Sequence, residues 1–106
     1  MTYFVAVHTG AGNSCAARSA QFKKLCRAAC AAAARRLQEG ASASAAAVAA
    51  TLLLEAAPLT NAGWGSSLTA DRRVQPEAAL CSSATGFHCA GALENVEHPI
   101  RIAECM

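Results

Sequence analysis

The chain has 106 residues, of which 54% are hydrophobic and 15% are charged, and its formal net charge is +2. This length fits one modest domain, and the apolar content argues against intrinsic disorder. The small net charge, without a Lys/Arg tract that alternates with aromatic residues, argues against an electrostatic nucleic-acid binder.

Six cysteines are many for this length, yet they form no zinc-like grouping with the three histidines and no Cys-x-x-Cys pair. The N-terminus lacks the basic region of a signal peptide. The apolar run at residues 45–57 is too short and too rich in alanine to span a bilayer. We therefore expect reduced, mostly buried thiols, no zinc site, and a protein of the cytoplasm or nucleus.

The first predicted element is a buried strand over Tyr3–Val7, a compact run of β-branched and aromatic residues. It leads into His-Thr-Gly-Ala-Gly at residues 8–12, where the glycines free the backbone. A histidine at a strand end can act as a general base or, more often, as a structural hydrogen-bonding residue. The Gly-x-Gly spacing is too short for a dinucleotide fingerprint, and no P-loop lysine follows it.

Two helices are predicted next. Residues Gln21–Glu39 repeat apolar side chains at helical spacing, and most of the basic residues lie off that stripe. Gly40 supplies the stop, and Ser42 or Ser44 can cap a second helix that runs to about Glu55. The basic face of the first helix can meet an acidic partner, although a solvated face is the simpler interpretation.

A corner follows the second helix, because Pro58 cannot continue it. Asn61 tolerates left-handed backbone angles and carries both a donor and an acceptor. Gly63 and Gly65 admit backbone angles that a side chain would forbid. Such a corner can hold an amide and main-chain groups at fixed angles beside a pocket. It can equally be a tight turn, because Asn and Gly dominate ordinary turns.

The remaining predicted elements are short strands, the turns between them and the beginning of a helix. In chain order, we expect strand 66–70, turn 71–73, strand 74–81, loop 82–86, strand 87–93, turn 95–99 and helix 100–105. The last helix has about half the length that stands without tertiary help. The pattern therefore predicts part of an α/β unit whose continuation is missing.

Three motifs occur in one order along the chain. They read FVAVHTGAG at 4–12, LQEGASASAAAVAATLLLEAAPLTNAGWGSSL at 37–68 and CAGALENVEHPIRIA at 89–103. In this order they resemble the threonine aspartase (taspase) branch of the asparaginase and isoaspartyl-peptidase family, over nearly the whole chain. Three details favour that branch: His-Thr-Gly-Ala-Gly in place of His-Gly-Gly-Ala-Gly, the helix sequence Lys-Lys-Leu-Cys-Arg-Ala-Ala-Cys, and threonine where asparaginases usually place phenylalanine before Asn61.

This resemblance implies an α/β (α+β) fold, a partial αββα sandwich of the N-terminal-nucleophile hydrolase type. Residues 1–106 would form the N-terminal part of the α subunit. In this family the precursor cuts itself before a threonine, whose free amine then serves as the base for its own attack on a carbonyl. The taspase substrate is a protein cut after aspartate, whereas the sister enzymes use asparagine or an isoaspartyl dipeptide.

The same resemblance implies the site residues. Gly12 and Asn61 are expected to line the substrate pocket, with Thr9, Gly10 and Gly63 as structural support. No catalytic residue is expected, because the Gly-Thr-Val-Gly-like segment that holds the nucleophilic threonine does not occur in the chain. No cofactor is implied, and no side chain is assigned as a metal ligand. The sister enzymes hold a sodium ion on main-chain carbonyls near the corner loop, so the resemblance leaves such a site open.

One segment departs from the family, since residues 77–86 lack the acidic pair of its Asp-x-x-Met-Asp-Gly-like stretch. We expect a fragment of a threonine-type endopeptidase that matures by autoproteolysis in its full-length form and is inactive alone. Alternatives are a fragment of an L-asparaginase or isoaspartyl peptidase, and a non-catalytic assembly or regulatory piece that pairs through an open sheet edge. The expected partners are a protein substrate, the missing downstream β subunit and a second copy in a complete homo-oligomer, with no nucleic acid and no membrane.

Overall fold

The computed structural model describes residues 2–12 and 16–106. Three helices and a two-stranded sheet form in these residues, together with two short 3-10 turns. In chain order they are the 3-10 turn Ala16–Arg18, α1 (Ser19–Gln38), α2 (Ala43–Ala56), the 3-10 turn Gly63–Gly65, β1 (Ala78–Ser82), β2 (Gly86–Ala90) and α3 (Pro99–Glu104). This mixture confirms the predicted α+β class and is consistent with part of a larger α/β unit.

The two long helices pack against each other through small side chains. The cluster buried between them consists of Ala29, Ala33, Ala46 and Ala50. Alanine side chains are small and let the two helix backbones approach closely. Val5 and Val7 of the N-terminal segment pack against the same cluster. The predicted helix Gln21–Glu39 and its apolar stripe are confirmed, since α1 differs from the prediction by two residues at most at each end.

The end of α1 is fixed by Gly40, whose φ of +85° lies in the left-handed region that favours glycine. The Gly40 amide donates to the Leu37 carbonyl at 3.0 Å, and the Ala41 amide donates to the Arg36 carbonyl at 2.9 Å. These two bonds form a Schellman motif, which satisfies carbonyls that the helix leaves free. The predicted stop is confirmed.

The start of α2 is capped by Ser42, whose Oγ accepts from the Ala45 amide at 3.1 Å. Ser44, the other predicted cap, lies inside the helix. The helix ends at Ala56, two residues before Pro58, as expected for a residue without an amide hydrogen. Of the two capping alternatives, the structure therefore selects Ser42.

The N-terminal segment is extended but forms no β-strand within the described residues. Tyr3 is 42% exposed and Phe4 is 90% exposed, whereas Val5 and Val7 pack on the helix pair. The prediction of a buried strand at Tyr3–Val7 is therefore wrong. Only alternate side chains face the helices, and a strand needs a hydrogen-bonded partner that residues 16–106 do not supply.

The sheet is an antiparallel hairpin in which Leu80 lies opposite His88. The predicted strand 87–93 is confirmed in its first half as β2, and the predicted strand 74–81 begins four residues late as β1. The prediction of a strand at 66–70 is wrong, because no partner strand lies beside this irregular stretch in the part of the chain described.

The predicted turn at 71–73 is present but does not join two strands. Arg72 has a φ of +63°, and its amide donates to the Thr69 carbonyl at 2.9 Å. Beyond it, the buried Pro76 has no amide hydrogen to give to a ladder, although its carbonyl accepts from the Leu93 amide at 3.1 Å, and β1 begins only at Ala78.

A second apolar cluster holds the hairpin and α3 against α2. It consists of the buried Val48, Ile100 and Ala103, with Leu52, Ala78 and Leu80 packed around them. The predicted helix at 100–105 is confirmed within one residue as α3. A helix of six residues does not stand alone in water, so this cluster is what keeps it in place.

The cysteines of the described residues are all free: Cys26, Cys30, Cys81, Cys89 and Cys105. The first two are half-buried, but the last three are exposed, so the prediction of mostly buried thiols is wrong for them. Alternation along the hairpin puts Cys81 and Cys89 on its solvent face. Cys15 lies outside the described residues. Among the helices that are described, none is long and apolar enough to cross a membrane.

Candidate functional site

The corner after α2 is built directly on the end of that helix. The hydroxyl of the buried Thr60 donates to the Leu54 carbonyl and, at 3.3 Å, to the Ala57 carbonyl. These bonds satisfy carbonyls that the last turn of a helix otherwise leaves without partners. A phenylalanine at this position has no hydroxyl to donate, so the corner depends on threonine for this contact.

Two glycines allow the corner to lie against the helix. Gly63 has a φ of +51°, and a Cβ at this position would lie 2.5 Å from the Glu55 carbonyl oxygen. A Cβ on Gly65 would overlap the Thr60 carbonyl oxygen. Both positions therefore require glycine for close approach, and Gly63 also requires it for its backbone angle.

Asn61 lies exposed at the tip of this corner. Its Oδ1 accepts from the Ser67 amide at 2.7 Å, which closes the loop and fixes the orientation of the carboxamide. Its Nδ2 makes no hydrogen bond within the described residues, which leaves two donors available on an exposed side chain. Such donors suit a carbonyl oxygen, an oxyanion or a carboxylate.

The end of the N-terminal segment forms a tight backbone turn. The Gly10 amide donates to Nδ1 of His8 at 3.1 Å, and Gly10 has a φ of +113°. Thr9 is half-buried, with its Oγ1 4.0 Å from the Sγ of Cys26 on α1. Gly12 is exposed. The bond to Gly10 gives His8 the structural hydrogen-bonding role, which was the second of its two interpretations.

An open cleft of about 980 Å³ lies beside the corner. It is lined by the end of α2, by Gly63 and Trp64, by the apolar Val74 and Pro76, and by residues 94–98. Trp64 is 79% exposed, so an indole ring stands at the mouth of the cleft with little of its surface covered. Apolar walls with a few polar groups are typical of ligand sites.

A smaller cavity of about 320 Å³ lies between residues 4–8 and the two long helices. Neither Gly12 nor Asn61 lines this cavity or the larger cleft. Of the five predicted site residues, only Gly63 borders the cleft. The structure thus does not bring Gly12 and Asn61 into one of these cavities, and their joint role in a pocket stays a prediction.

A buried carboxyl group at the base of the cleft is the feature that sequence reasoning missed. Glu55 is 3% exposed, and its Oε1 accepts from the Ile100 amide at 2.8 Å. Its Oε2 lies 3.3 Å from Nδ1 of His98, but neither of these two buried atoms has a hydrogen-bond partner within the described residues. Burial raises the pKa of Glu55 above its ordinary value, and the Ile100 amide, His98 and Arg101 oppose that rise only in part.

The signal for this pair was present in the sequence. Glu55 is the single charged residue in the apolar stretch that ends α2, and His98 precedes a proline in the third motif. Neither residue is unusual alone, and 43 positions separate them, so their meeting depends on the fold. Because Glu55 contacts the corner at Gly63 and α3 at Ile100, it links the corner to the C-terminal helix.

The rim of the cleft carries exposed ion pairs. Arg73 Nη1 lies 3.1 Å from Glu94 Oε1, and Arg73 Nε lies 3.2 Å from Asp71 Oδ2. The side-chain Nε2 of Gln75 donates to Glu94 Oε1 at 2.7 Å. Exposed pairs contribute about 0–1 kcal/mol each, so they order the rim more than they stabilise the fold. Within residues 2–12 and 16–106 no three His, Cys, Asp or Glu side chains are grouped to hold a metal ion.

Comparison with known protein families gives an independent result. The family model described as asparaginase matches this chain over residues 1–106. The matched range includes the glycine-rich turn at 8–12, the corner at Asn61 and the segment that brings His98 to Glu55. The chain therefore belongs to the asparaginase-like family of N-terminal-nucleophile hydrolases.

Proposed function

We propose that this chain is the N-terminal part of the α subunit of a threonine-type endopeptidase of the taspase branch, which cuts proteins after aspartate. The observation that carries the proposal is the corner, where Asn61 is held by Ser67 and presents two free donors. Thr60, the residue that favours the taspase branch, anchors this corner through its hydroxyl. A phenylalanine would need a different anchor.

The chain contributes positioning and not the nucleophile. The Asn61 donors would hold a substrate oxygen, and Gly12, with Thr9 and Gly10 behind it, would form the facing wall. A donor fixed before the reaction stabilises the oxyanion of acyl transfer better than one that must reorient. The nucleophilic threonine would come from a downstream β subunit released by autoproteolysis, and we expect residues 1–106 alone to form no acyl-enzyme without it.

The open N-terminal segment supports this division of labour. Exposed and half-buried side chains alternate along residues 4–9, as on an extended backbone; Val5 and Val7 lie on the helix pair, and no strand lies beside the segment in the described residues. Extended backbone with free amides and carbonyls accepts an additional strand. We propose that the β subunit provides that strand, and that the complete enzyme assembles with a second copy of itself in the cytoplasm or nucleus.

The test offers three substrates: a peptide with an internal Asp-Gly bond, free L-asparagine, and a β-aspartyl dipeptide. Each is given to the chain alone and to the chain co-expressed with a downstream segment that begins at a nucleophilic threonine. We expect the co-expressed pair to cleave the peptide and the chain alone to cleave none of the three substrates. Turnover of asparagine or the dipeptide in its place would support the asparaginase alternative, and no turnover by any combination would contradict both.

The variant Asn61→Asp isolates the role of the carboxamide. Aspartate keeps the oxygen that accepts from Ser67 but loses the two donors, so the corner keeps its loop closure. Loss of one donor to an oxyanion typically lowers kcat by about 100- to 1000-fold. An active Asn61→Asp enzyme would remove Asn61 from the pocket.

The same open segment favours one alternative, a non-catalytic piece that pairs with intact subunits. Under that alternative, the chain would co-purify with a complete subunit and lower its activity. A stable lone monomer that never co-purifies with a complete subunit would count against it.

A further inference from the structure

The outer face of α1 concentrates the positive charge of the molecule. Residues 18–38 carry six of the nine Lys and Arg residues and none of the seven Asp and Glu residues. The rest of the chain therefore has three cations and seven carboxylates. The net charge of +2 is thus the sum of a positive segment at residues 18–38 and a negative remainder. On α1 the face that lies away from α2 has Lys23, Lys24, Arg27 and Arg35, which we call the basic face.

Helical geometry places these cations together and keeps them in water. At 100° per residue, Lys24, Arg27 and Arg35 fall within about 80° of arc. Ala29 and Ala33, which are buried against α2, lie on the opposite side of α1. All four basic residues are exposed and none takes part in a salt bridge within the described residues. Unpaired cations are costly to cover with an apolar layer, so an apolar partner does not suit this face.

The like charges of the basic face destabilise α1. The face also lacks the mixture of positive and negative side chains that is typical of a surface that serves only solubility. Lys23 and Arg27 are four residues apart and Lys24 and Arg27 are three apart, and like charges at these spacings destabilise a helix by about 0.2–0.5 kcal/mol each. Arg18 stands at the N-cap, where the helix dipole disfavours a cation, and no side chain caps the helix there. A bound anionic partner would relieve this repulsion.

We propose that the basic face of α1 docks an acidic polypeptide segment. From Lys23 to Arg35 it spans about 18 Å, which matches an extended run of roughly six residues. The exposed Ala28 and Ala31 lie between the cations and let a peptide backbone approach the helix closely. Carboxylates along such a segment would meet lysine and arginine donors in charge-assisted hydrogen bonds.

Two other polyanions fit the molecule less well. Nucleic acid is a long polyanion, which the seven carboxylates elsewhere repel, and the basic face has no aromatic side chain on which bases could stack. An anionic membrane needs a helix with an exposed apolar face, but the apolar stripe of α1 is used against α2.

Fluorescence anisotropy with a labelled peptide of eight glutamates, and its glutamine analogue as the control, tests the proposal. We expect the glutamate peptide to bind at about 50 mM salt and to weaken steeply towards roughly 300 mM, while the glutamine peptide does not bind. A short duplex DNA and vesicles with anionic lipid are tested in parallel. Tighter binding of either one than of the glutamate peptide would overturn the choice of partner.

The variant Lys24→Glu/Arg27→Glu should weaken binding by roughly tenfold or more, because it reverses the charge at the centre of the face. Arg72→Glu/Arg101→Glu is the matched control, since it changes the net charge equally at two exposed positions outside α1. We expect less than about a threefold effect from that control. Equal effects of the two double variants would overturn a defined docking face, and circular dichroism verifies that both are folded. The measurement needs no hydrolase activity, so its outcome is independent of the proposed function.

Discussion

Removal of the Glu55 carboxylate should detach α3 from α2. In Glu55→Ala, the Ile100 amide loses its 2.8 Å acceptor, and a hydrogen bond to a charged group contributes about 1.5–3 kcal/mol. Because the Glu55 side chain is only 3% exposed, its truncation to alanine also leaves a small cavity in the interior. The unfavourable desolvation that raises the pKa of Glu55 is relieved, which offsets part of the loss. We therefore expect the free energy of unfolding to fall by about 2–3 kcal/mol.

Urea denaturation followed by circular dichroism measures the change, and hydrogen exchange of the Ile100 amide locates it. Glu55→Gln keeps an acceptor for that amide and should lose less than about 1 kcal/mol. Glu97→Ala is the control on a side chain that is 90% exposed, where about ±0.5 kcal/mol is expected. A loss below about 1 kcal/mol in Glu55→Ala, or equal losses in the alanine and glutamine variants, would refute the assigned role of this hydrogen bond.

Four further outcomes follow from the structure. Gly65→Ala should destabilise the chain by roughly 1–3 kcal/mol in urea denaturation, because its Cβ overlaps a backbone carbonyl; a neutral result would contradict the close packing of the corner. Ser42→Ala should cost about 1 kcal/mol whereas Ser44→Ala should not, and equal melting temperatures of the two variants would argue against the cap. Because folding raises the pKa of Glu55, the native state binds that proton more tightly, so stability should fall as the pH rises from about 4.5 through the raised value. The difference in unfolding free energy between the native sequence and Glu55→Gln across this pH range should show that fall, and a difference that is flat or rises would contradict it. A thiol reagent should modify the exposed Cys81, Cys89 and Cys105 before the half-buried cysteines of α1. Mass spectrometry of timed samples gives the order, and earlier modification of the half-buried cysteines would contradict the exposure that the structure assigns to them.

The parts of the fold that were predicted correctly depend on local signals. Gly40 ends α1 and Ser42 begins α2 because a left-handed angle and a capping hydroxyl act within a few residues. The buried strand at Tyr3–Val7 failed for the opposite reason. Its residues favour an extended backbone, but a strand exists only with a partner, and no local pattern supplies one.

The candidate site shows the same limit. Asn61 and Gly63 belong to one short corner, and their backbone requirements can be read from the proline, asparagine and glycines around them. The contact between Glu55 and His98 joins residues that are far apart in sequence, so the local pattern marks each residue but does not predict that they meet. Whether Gly12 lies across from Asn61 likewise depends on long-range packing and remains a prediction.

The Glu55–Ile100 hydrogen bond also constrains the order in which the chain folds. The bond closes a loop of 45 residues. The loss of conformational entropy on closure costs a free energy of about 3 kcal/mol, which is similar to the free energy that the hydrogen bond itself contributes. The α1–α2 pair, joined by a short connection, can therefore assemble early, while docking of α3 waits until the hairpin has shortened the intervening distance. We therefore expect the C-terminal helix to dock late, so that variants which weaken it accelerate unfolding and leave the refolding rate nearly unchanged in stopped-flow measurements.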